Sequence, residues 1–218
     1  MGKLIVIEGL DGSGKATQTD LLYKKLTEKG VPCTKISFPN YADNTSAPIK
    51  MYLSGQLGSL GDVGAYGGSI LYTVDRYGSY LKNWKKDYNE GKVILCDRYT
   101  TSNIPHQMSK LPEEEWESFI DWLYDLEFNK VGIPAPDEVI YLDVLPEVSR
   151  KLLAKRYNND ESKKDIHESN FEYLLKCRKA ALFGAKKLNW NMVSCCDGEN
   201  MKTVDEIAEL IYNSITVL

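Results

Sequence analysis

The chain has 218 residues, the length of one α/β domain, so we expect a single compact unit over residues 1–218. Hydrophobic residues make up 43% and charged residues 27%, an ordinary globular mixture that excludes a disordered, collagen-like or small disulfide-stapled chain. A net charge of −4 argues against nucleic acid or an anionic membrane surface as a partner. Five of the 27 basic residues are arginines, namely Arg76, Arg98, Arg150, Arg156 and Arg178.

The sequence gives no indication of export or membrane insertion. The longest uncharged run, residues 63–74, is far shorter than the ~20 apolar residues of a membrane span. The first apolar run meets Glu8 too early for a signal peptide. The five scattered cysteines predict reduced thiols, and the adjacent Cys195 and Cys196 are expected to end a buried strand. A cytoplasmic location is therefore predicted.

Short apolar runs alternate with longer segments of helical period, as in an α/β parallel sheet covered by helices on both faces. Five parallel strands are predicted, at about residues 4–8, 33–38, 93–97, 139–143 and 191–195.

Capping residues and prolines mark several helix starts. Thr203, with Glu206 three residues later, predicts the start of the last helix, and Pro112 and Pro146 each open another. A further helix is predicted over residues 65–82. The polar segment that follows the Pro146 helix separates two helical stretches and predicts a lid at about residues 155–168.

The strongest motif is a glycine-rich segment between the first predicted strand and the next helix. Its glycine, four residues and Gly-Lys match a phosphate-binding loop, whose N–H groups and lysine hold phosphate oxygens. A glycine-rich turn with an incidental lysine is the alternative. The predicted ATP-binding residues are Gly9, Gly12, Ser13, Gly14, Lys15, Ala16 and Thr17. Ala16 stands where a hydroxyl usually binds Mg²⁺, so the metal must rely on ATP oxygens, water and a carboxylate.

A second motif ends the predicted strand at residues 93–97. Asp97 and Arg98 follow its apolar run, at the carboxyl edge of the sheet where ligands bind in α/β folds. Asp97 is a candidate to hold Mg²⁺ through water, and Arg98 is a candidate to bridge phosphates. On this motif alone, a structural salt bridge explains the pair almost equally well.

These two motifs, together with Phe38-Pro39, Tyr72 with Arg76, and Ser102 with Gln107, resemble the thymidylate kinase family along the whole chain. The resemblance implies a three-layer P-loop NTPase fold with a five-stranded sheet and a short lid. It also implies transfer of the γ-phosphate of ATP to dTMP, which gives dTDP, with Mg²⁺ as cofactor in a homodimer.

The resemblance also implies roles for individual residues. Lys15 would contact the ATP phosphates, Arg98 the transferred or acceptor phosphate, and Asp97 the metal and its waters. Tyr72 would stack on thymine and Arg76 would hydrogen-bond it. The implied dTMP-binding residues are Asp11 at the sugar 3′-hydroxyl, Phe38, Pro39, Lys50, Tyr72, Arg76, Arg98, Ser102, Asn103 and Gln107. Without the resemblance, Tyr72 is equally compatible with core packing, and Lys50 with a solvated surface lysine. Ser102, Asn103 and Gln107 would be interpreted as loop capping residues.

The sequence departs from the family's pattern in two places. The arginine that usually lies two residues after Phe-Pro is missing from Phe38-Pro39-Asn40-Tyr41, and Lys50 is the candidate to compensate. Gly12 replaces an arginine that some members carry, which makes a lid cation the candidate for catalysis. Arg156 ranks first, before Lys163 and Lys164, although a solvated charge cluster is the default for such a run.

Two rival functions stay open at this point. A P-loop kinase for dUMP, a purine monophosphate or a deoxynucleoside is compatible with the missing arginine. A nucleotide-binding protein with weakened catalysis is compatible with Ala16 and the same missing arginine.

Overall fold

The computed structural model describes residues 1–156 and 171–218. At its centre lies a sheet of five parallel strands: β1 Lys3–Gly9, β2 Cys33–Ser37, β3 Val93–Asp97, β4 Glu138–Asp143 and β5 Asn191–Ser194. The spatial order is β2-β3-β1-β4-β5. The five predicted strands are confirmed to within one residue at each end.

Helices cover both faces of this sheet. In chain order they are α1 Lys15–Glu28, α2 Ala47–Leu53, α3 Leu60–Ser79, α4 Lys85–Asn89, α5 Asn103–His106, α6 Trp116–Tyr124, α7 Pro146–Arg156, α8 Phe171–Lys187 and α9 Val204–Ser214. Successive side chains of β1 alternate between the two faces. Leu4 and Val6 join an apolar cluster with α6 and α8, whereas Ile5 and Ile7 join a second cluster with α1 and α9. The predicted three-layer arrangement is confirmed.

The helix starts follow the local signals in most places. Thr203 and Glu206 form the predicted capping box, in which each side chain binds the other residue's backbone N–H. α7 begins at Pro146, as predicted. After Pro112 a 3₁₀ turn precedes α6, which continues into a π-helical turn at Asp125–Val131.

The helix predicted over residues 65–82 differs from the structure at both ends. α3 starts earlier, at a capping box between Ser59 and Asp62, and its backbone breaks at Gly64, where φ is 65°. After Ser79 the chain continues as a π-helical turn over Tyr80–Trp84. The predicted helix begins at Ala65 because residues 60–63, which form the first turn of α3, lie before this break.

The predicted strand end at the paired cysteines is wrong by one residue. Buried Cys195 follows β5, and Cys196 starts a short antiparallel hairpin of β6 Cys196–Asp197 and β7 Asn200–Met201. All five cysteines are free thiols, as predicted. No helix in the described ranges is long and apolar enough to cross a membrane. Most of the predicted lid, and all of it after Arg156, lies outside the described residues.

Candidate active site

The predicted phosphate-binding loop connects β1 to α1. Gly14 immediately precedes α1 with φ 82°, a left-handed conformation that glycine adopts without steric cost. Gly9 is required for close approach, because a Cβ there would lie 2.6 Å from Ser13 Oγ and 3.1 Å from the Leu142 carbonyl oxygen. The loop therefore brings backbone N–H groups to the positive end of a helix, which suits an anion.

Lys15 lies folded back into this loop. Its Nζ donates to the Leu10 carbonyl at 2.8 Å and lies 3.5 Å from Ser13 Oγ. Burial, with a smaller contribution from Arg98, lowers the pKa of Lys15 to about 8. In the described ranges no carboxylate lies within ion-pair distance of this ammonium group. A buried cation without a carboxylate partner is well suited to receive phosphate oxygens.

Arg98 connects the loop to a neighbouring cavity. Its guanidinium pairs with the Asp11 carboxylate of the loop, and Nη1 lies 3.1 Å from His106 Nε2. Burial disfavours its charge, but the surrounding carboxylates outweigh this effect and raise the pKa of Arg98. Its backbone is left-handed, with φ 67°, a conformation that is uncommon outside glycine and clusters at functional sites.

Two carboxylates lie at the carboxyl ends of β1 and β3. Glu8 is fully buried, and its oxygens accept hydrogen bonds from Thr101 Oγ1 at 2.9 Å and from Ser102 Oγ. By contrast, the buried Oδ1 of Asp97 has no hydrogen-bond partner among the described residues. A free carboxylate oxygen is the type of acceptor that Mg²⁺ or its bound water prefers, so Asp97 fits the predicted role. No group of three metal-ligating side chains occurs in the described part of the chain.

The cavity beside Arg98 encloses about 620 Å³ of empty space, its open mouth included. Nine of the ten residues predicted to bind dTMP line it: Asp11, Phe38, Pro39, Tyr72, Arg76, Arg98, Ser102, Asn103 and Gln107. Lys50 does not line the cavity and is exposed on α2. The cavity is also lined by four residues that were not predicted from the sequence: Tyr41, Leu53, Tyr99 and His106. Tyr41 occupies the position where the family's arginine was expected.

Arg76 is held rigidly in the cavity wall. It is 1% exposed, its Nε donates to Glu127 Oε2 at 2.8 Å, and its Nη2 contacts Glu127 Oε1. The same carboxylate accepts from Thr73 Oγ1 at 2.9 Å and from Thr100 Oγ1 at 2.6 Å. The sequence did not indicate Glu127, because it lies in a π-helical turn 51 residues away from Arg76.

Two amide groups in the cavity wall lack partners. Asn103 and Gln107 are 2% and 1% exposed, and Asn103 Nδ2 and Gln107 Nε2 have no hydrogen-bond acceptor within the described residues. Buried N–H groups of this kind are costly unless a ligand supplies an acceptor. Tyr72, on the same cavity wall, packs edge-on against Tyr52 with ring centroids 6.4 Å apart.

The side chains of the three predicted lid cations fall outside the part of the chain that the structure describes. Lys163, Lys164 and the side chain of Arg156 lie outside the described residues. Of the remaining arginines, Arg178 binds the Asp143 carboxylate through two hydrogen bonds of 2.8 and 2.9 Å. Arg76 and Arg98 are therefore the two described arginines that converge on the cavity.

A model of one protein family, described as thymidylate kinase, matches residues 7–204. The chain belongs to the thymidylate kinase family. Curated members include "Thymidylate kinase" of Mycobacterium tuberculosis, 29% identical over 173 residues, which cover 78% of this chain and 79% of that one. "Thymidylate kinase" of Schizosaccharomyces pombe is 30% identical over 178 residues, covering 80% and 78%. The family resemblance predicted from the motifs is confirmed.

A solved structure supports the fold independently. The thymidylate kinase of Candida albicans superimposes with a TM-score of 0.69 at 23% sequence identity, covering 97% of this chain and 90% of that one. At this identity the likeness concerns the fold, and it confirms the predicted P-loop NTPase architecture.

Proposed function

We propose that the protein transfers the γ-phosphate of ATP to dTMP and releases ADP and dTDP. Family membership supports the activity, and one geometric observation carries it: the Arg98–Asp11 pair joins the phosphate-binding loop to the cavity. A donor phosphate on the loop and an acceptor phosphate in the cavity would then meet at Arg98. Phosphoryl transfer needs mainly such positioning and charge neutralisation.

On the donor side, the loop N–H groups and Lys15 bind the ATP phosphates. Asp97, whose buried Oδ1 has no hydrogen-bond partner among the described residues, would hold Mg²⁺ through water. Bound Mg²⁺ supplies charge neutralisation on the phosphate oxygens. Ala16 contributes no hydroxyl to the metal. The position of the metal would therefore depend more on Asp97 than in loops with serine or threonine at this position.

On the acceptor side, Tyr72 stacks on the base, and Arg76, Asn103 and Gln107 hydrogen-bond its edge. Asp11 binds the sugar, and Arg98 the acceptor phosphate. That phosphate is itself the nucleophile and is ionised at neutral pH, so no general base is required. A lid cation, with Arg156 ranked first, completes the charge around the transferred group.

A coupled assay of ADP release tests this function directly. We expect release with ATP and dTMP, and a large loss in Lys15→Met. Lys24→Met on the same helix, whose side chain is 72% exposed, is the matched control and should behave as the unmodified protein. No dTMP-dependent release would contradict the proposal. Phosphorylation of thymidine in preference to dTMP would identify a nucleoside kinase.

The second candidate is a kinase for another monophosphate, and Tyr41 in the cavity wall is the observation that favours it. With no guanidinium at this position, the acceptor phosphate depends more strongly on Arg98. The same assay with dUMP, dCMP, dAMP and dGMP separates the two candidates, because ADP release with one of these in preference to dTMP would favour the second.

The assembly and location are further proposals. A homodimer is supported by an uncharged exposed face on α3, formed by Tyr66, Ile70, Val74 and Tyr77. A cytoplasmic location is supported by five cysteines that are all free, as in a reducing compartment.

A further inference from the structure

Lys110 is a partly buried lysine just behind the cavity wall. Its Nζ donates to Tyr52 Oη at 2.7 Å and to Gln107 Oε1 at 2.7 Å, and it lies 5.2 Å from the centroid of the Tyr52 ring. No carboxylate lies within ion-pair distance of it in residues 1–156 and 171–218. The two hydrogen bonds are therefore the polar contacts that hold this cation in place.

The contact with Lys110 fixes which end of the Gln107 amide faces which way. An ammonium group can only donate, so the Gln107 atom beside it must be the carbonyl oxygen. The amide nitrogen, Nε2, is then left without a partner among the described residues, in a side chain that lines the cavity and is 1% exposed. If the amide were rotated by 180°, the Gln107 NH₂ group would face the Lys110 ammonium group, and both groups are donors.

Gly68 on α3 provides the space for this orientation. A Cβ at Gly68 would collide with Gln107 Oε1, so the carbonyl packs directly against the backbone of the helix. Lys110 thus selects the oxygen of the Gln107 amide for this place, and the absence of a side chain at Gly68 leaves room for it.

We propose that Lys110 is a positioning residue for base selection: it fixes the Gln107 carbonyl, so that the Gln107 NH₂ group is offered to the base. This inference rests on the proposed function. With Asn103 Nδ2, the cavity then presents two amide donors. Thymine and uracil carry carbonyl acceptors on both sides of N3, whereas cytosine carries an amino donor at one of them. The arrangement therefore favours thymine and uracil over cytosine.

A double-mutant cycle over Lys110→Met and Gln107→Ala tests the inference. The readouts are kcat, the KM for dTMP and the inhibition constant of dCMP against dTMP. The selectivity ratio is the inhibition constant of dCMP divided by the KM for dTMP. We expect Lys110→Met to lower this ratio about tenfold and to keep kcat within about twofold of that of the unmodified protein. Because Lys110 acts through Gln107, adding Lys110→Met to Gln107→Ala should lower the ratio no further.

Three further variants keep the result decisive. Lys86→Met, at a lysine 84% exposed on α4, should leave the ratio unchanged, and Lys110→Arg, still a donor-only cation, should retain most of it. Gly68→Ala displaces the amide with Lys110 in place and should lower the ratio even if Lys110→Met fails to fold.

Two results separate the inference from the proposed function. An unmodified protein that does not phosphorylate dTMP would overturn both. If the unmodified protein is active and neither Lys110→Met nor Gly68→Ala changes its selectivity ratio, only the role of Lys110 is overturned. The same holds if Lys110→Met still lowers the ratio in the Gln107→Ala background.

Discussion

Three cations around the site, two of them buried and one partly buried, differ in the groups that neutralise their charge. Arg76 is paired with the carboxylate of Glu127, whereas Lys15 and Lys110 have only neutral oxygen partners among the described residues. Burial lowers the pKa of both lysines to about 8, while the carboxylate beside Arg76 outweighs burial and raises its pKa. An anion that binds beside such a lysine stabilises its charged form strongly, because no carboxylate already does so. This suits Lys15 to phosphate binding.

The lowered pKa of Lys15 predicts a pH dependence for ATP binding. The ammonium form binds phosphate, so we expect kcat/KM for ATP to fall as pH rises through about 8, because kcat/KM reports the free protein. A profile at saturating dTMP from pH 6 to 9.5 measures this. Lys15→Arg, whose guanidinium stays protonated, should lose the fall if it retains activity. A flat profile in the unmodified protein would contradict the assignment.

The same shift predicts the sign of a stability change in the ligand-free protein. Between about 8 and the ordinary value of 10.5, the folded state holds fewer protons at Lys15 than the unfolded state does. This group therefore makes folding less favourable below pH 8 and ceases to do so as pH rises towards 10.5. Bound phosphate should remove this cost, because it compensates the buried charge.

At the scale of elements, Glu127 ties three segments to one another. Its carboxylate lies in the π-helical turn Asp125–Val131 and binds Thr73 and Arg76 of α3 and Thr100 of the turn that follows β3. All of these side chains are buried. The cavity wall formed by α3 is therefore held by one charged network rather than by apolar packing alone.

We predict that Glu127→Gln destabilises the protein by about 3–5 kcal/mol, because it leaves the buried Arg76 charge without compensation. Urea unfolding measures the change, and KM for dTMP should rise as well if Arg76 loses its fixed position. Asp125→Asn is the matched control in the same turn: its Lys130 pair is 3.7 Å long and exposed, so a change within about 0.5 kcal/mol is expected. Equal effects of the two variants would contradict the role of the network.

At the scale of the whole molecule, the outer face of α3 is unusual. Its exposed residues after Gly64 are Tyr66, Ile70, Val74 and Tyr77, each about one turn after the last, and Leu81 continues the row. The two charged residues of this stretch, Asp75 and Arg76, are both buried. A contiguous apolar face of this kind marks an interaction surface, and the same face on a second copy would cover it across a two-fold axis.

We therefore predict that Ile70→Glu combined with Val74→Glu converts a dimer into a monomer. The two introduced charges would be buried against each other in a two-fold contact, while both positions are exposed in the single chain. Light scattering after size exclusion measures the mass. Leu210→Glu, at an exposed leucine of α9, is the control and should stay dimeric. An unmodified protein that is monomeric at micromolar concentration would contradict the proposed dimer.

The sequence by itself determined the sheet and the phosphate-binding loop. Apolar runs, the glycine and lysine spacing, and the capping pair Thr203 and Glu206 are local signals, and a few neighbouring residues decide their conformation. The acceptor residues Tyr72 and Arg76 came from family resemblance, and the structure brings both to one cavity. Their roles towards dTMP stay predictions.

Only the tertiary structure decided how distant side chains meet. Glu127 reaches Arg76 across 51 residues and Lys110 reaches Tyr52 across 58. Glu127 lies in a π-helical turn and Lys110 in a 3₁₀ turn, and both turns are too short to show a sequence period. Lys50 has a cation's chemistry but lies exposed on α2, away from the cavity. The sequence shows which residues can carry a charge. Packing between elements determines how deeply they are buried, and this burial lowers the pKa of Lys15 and Lys110 to about 8.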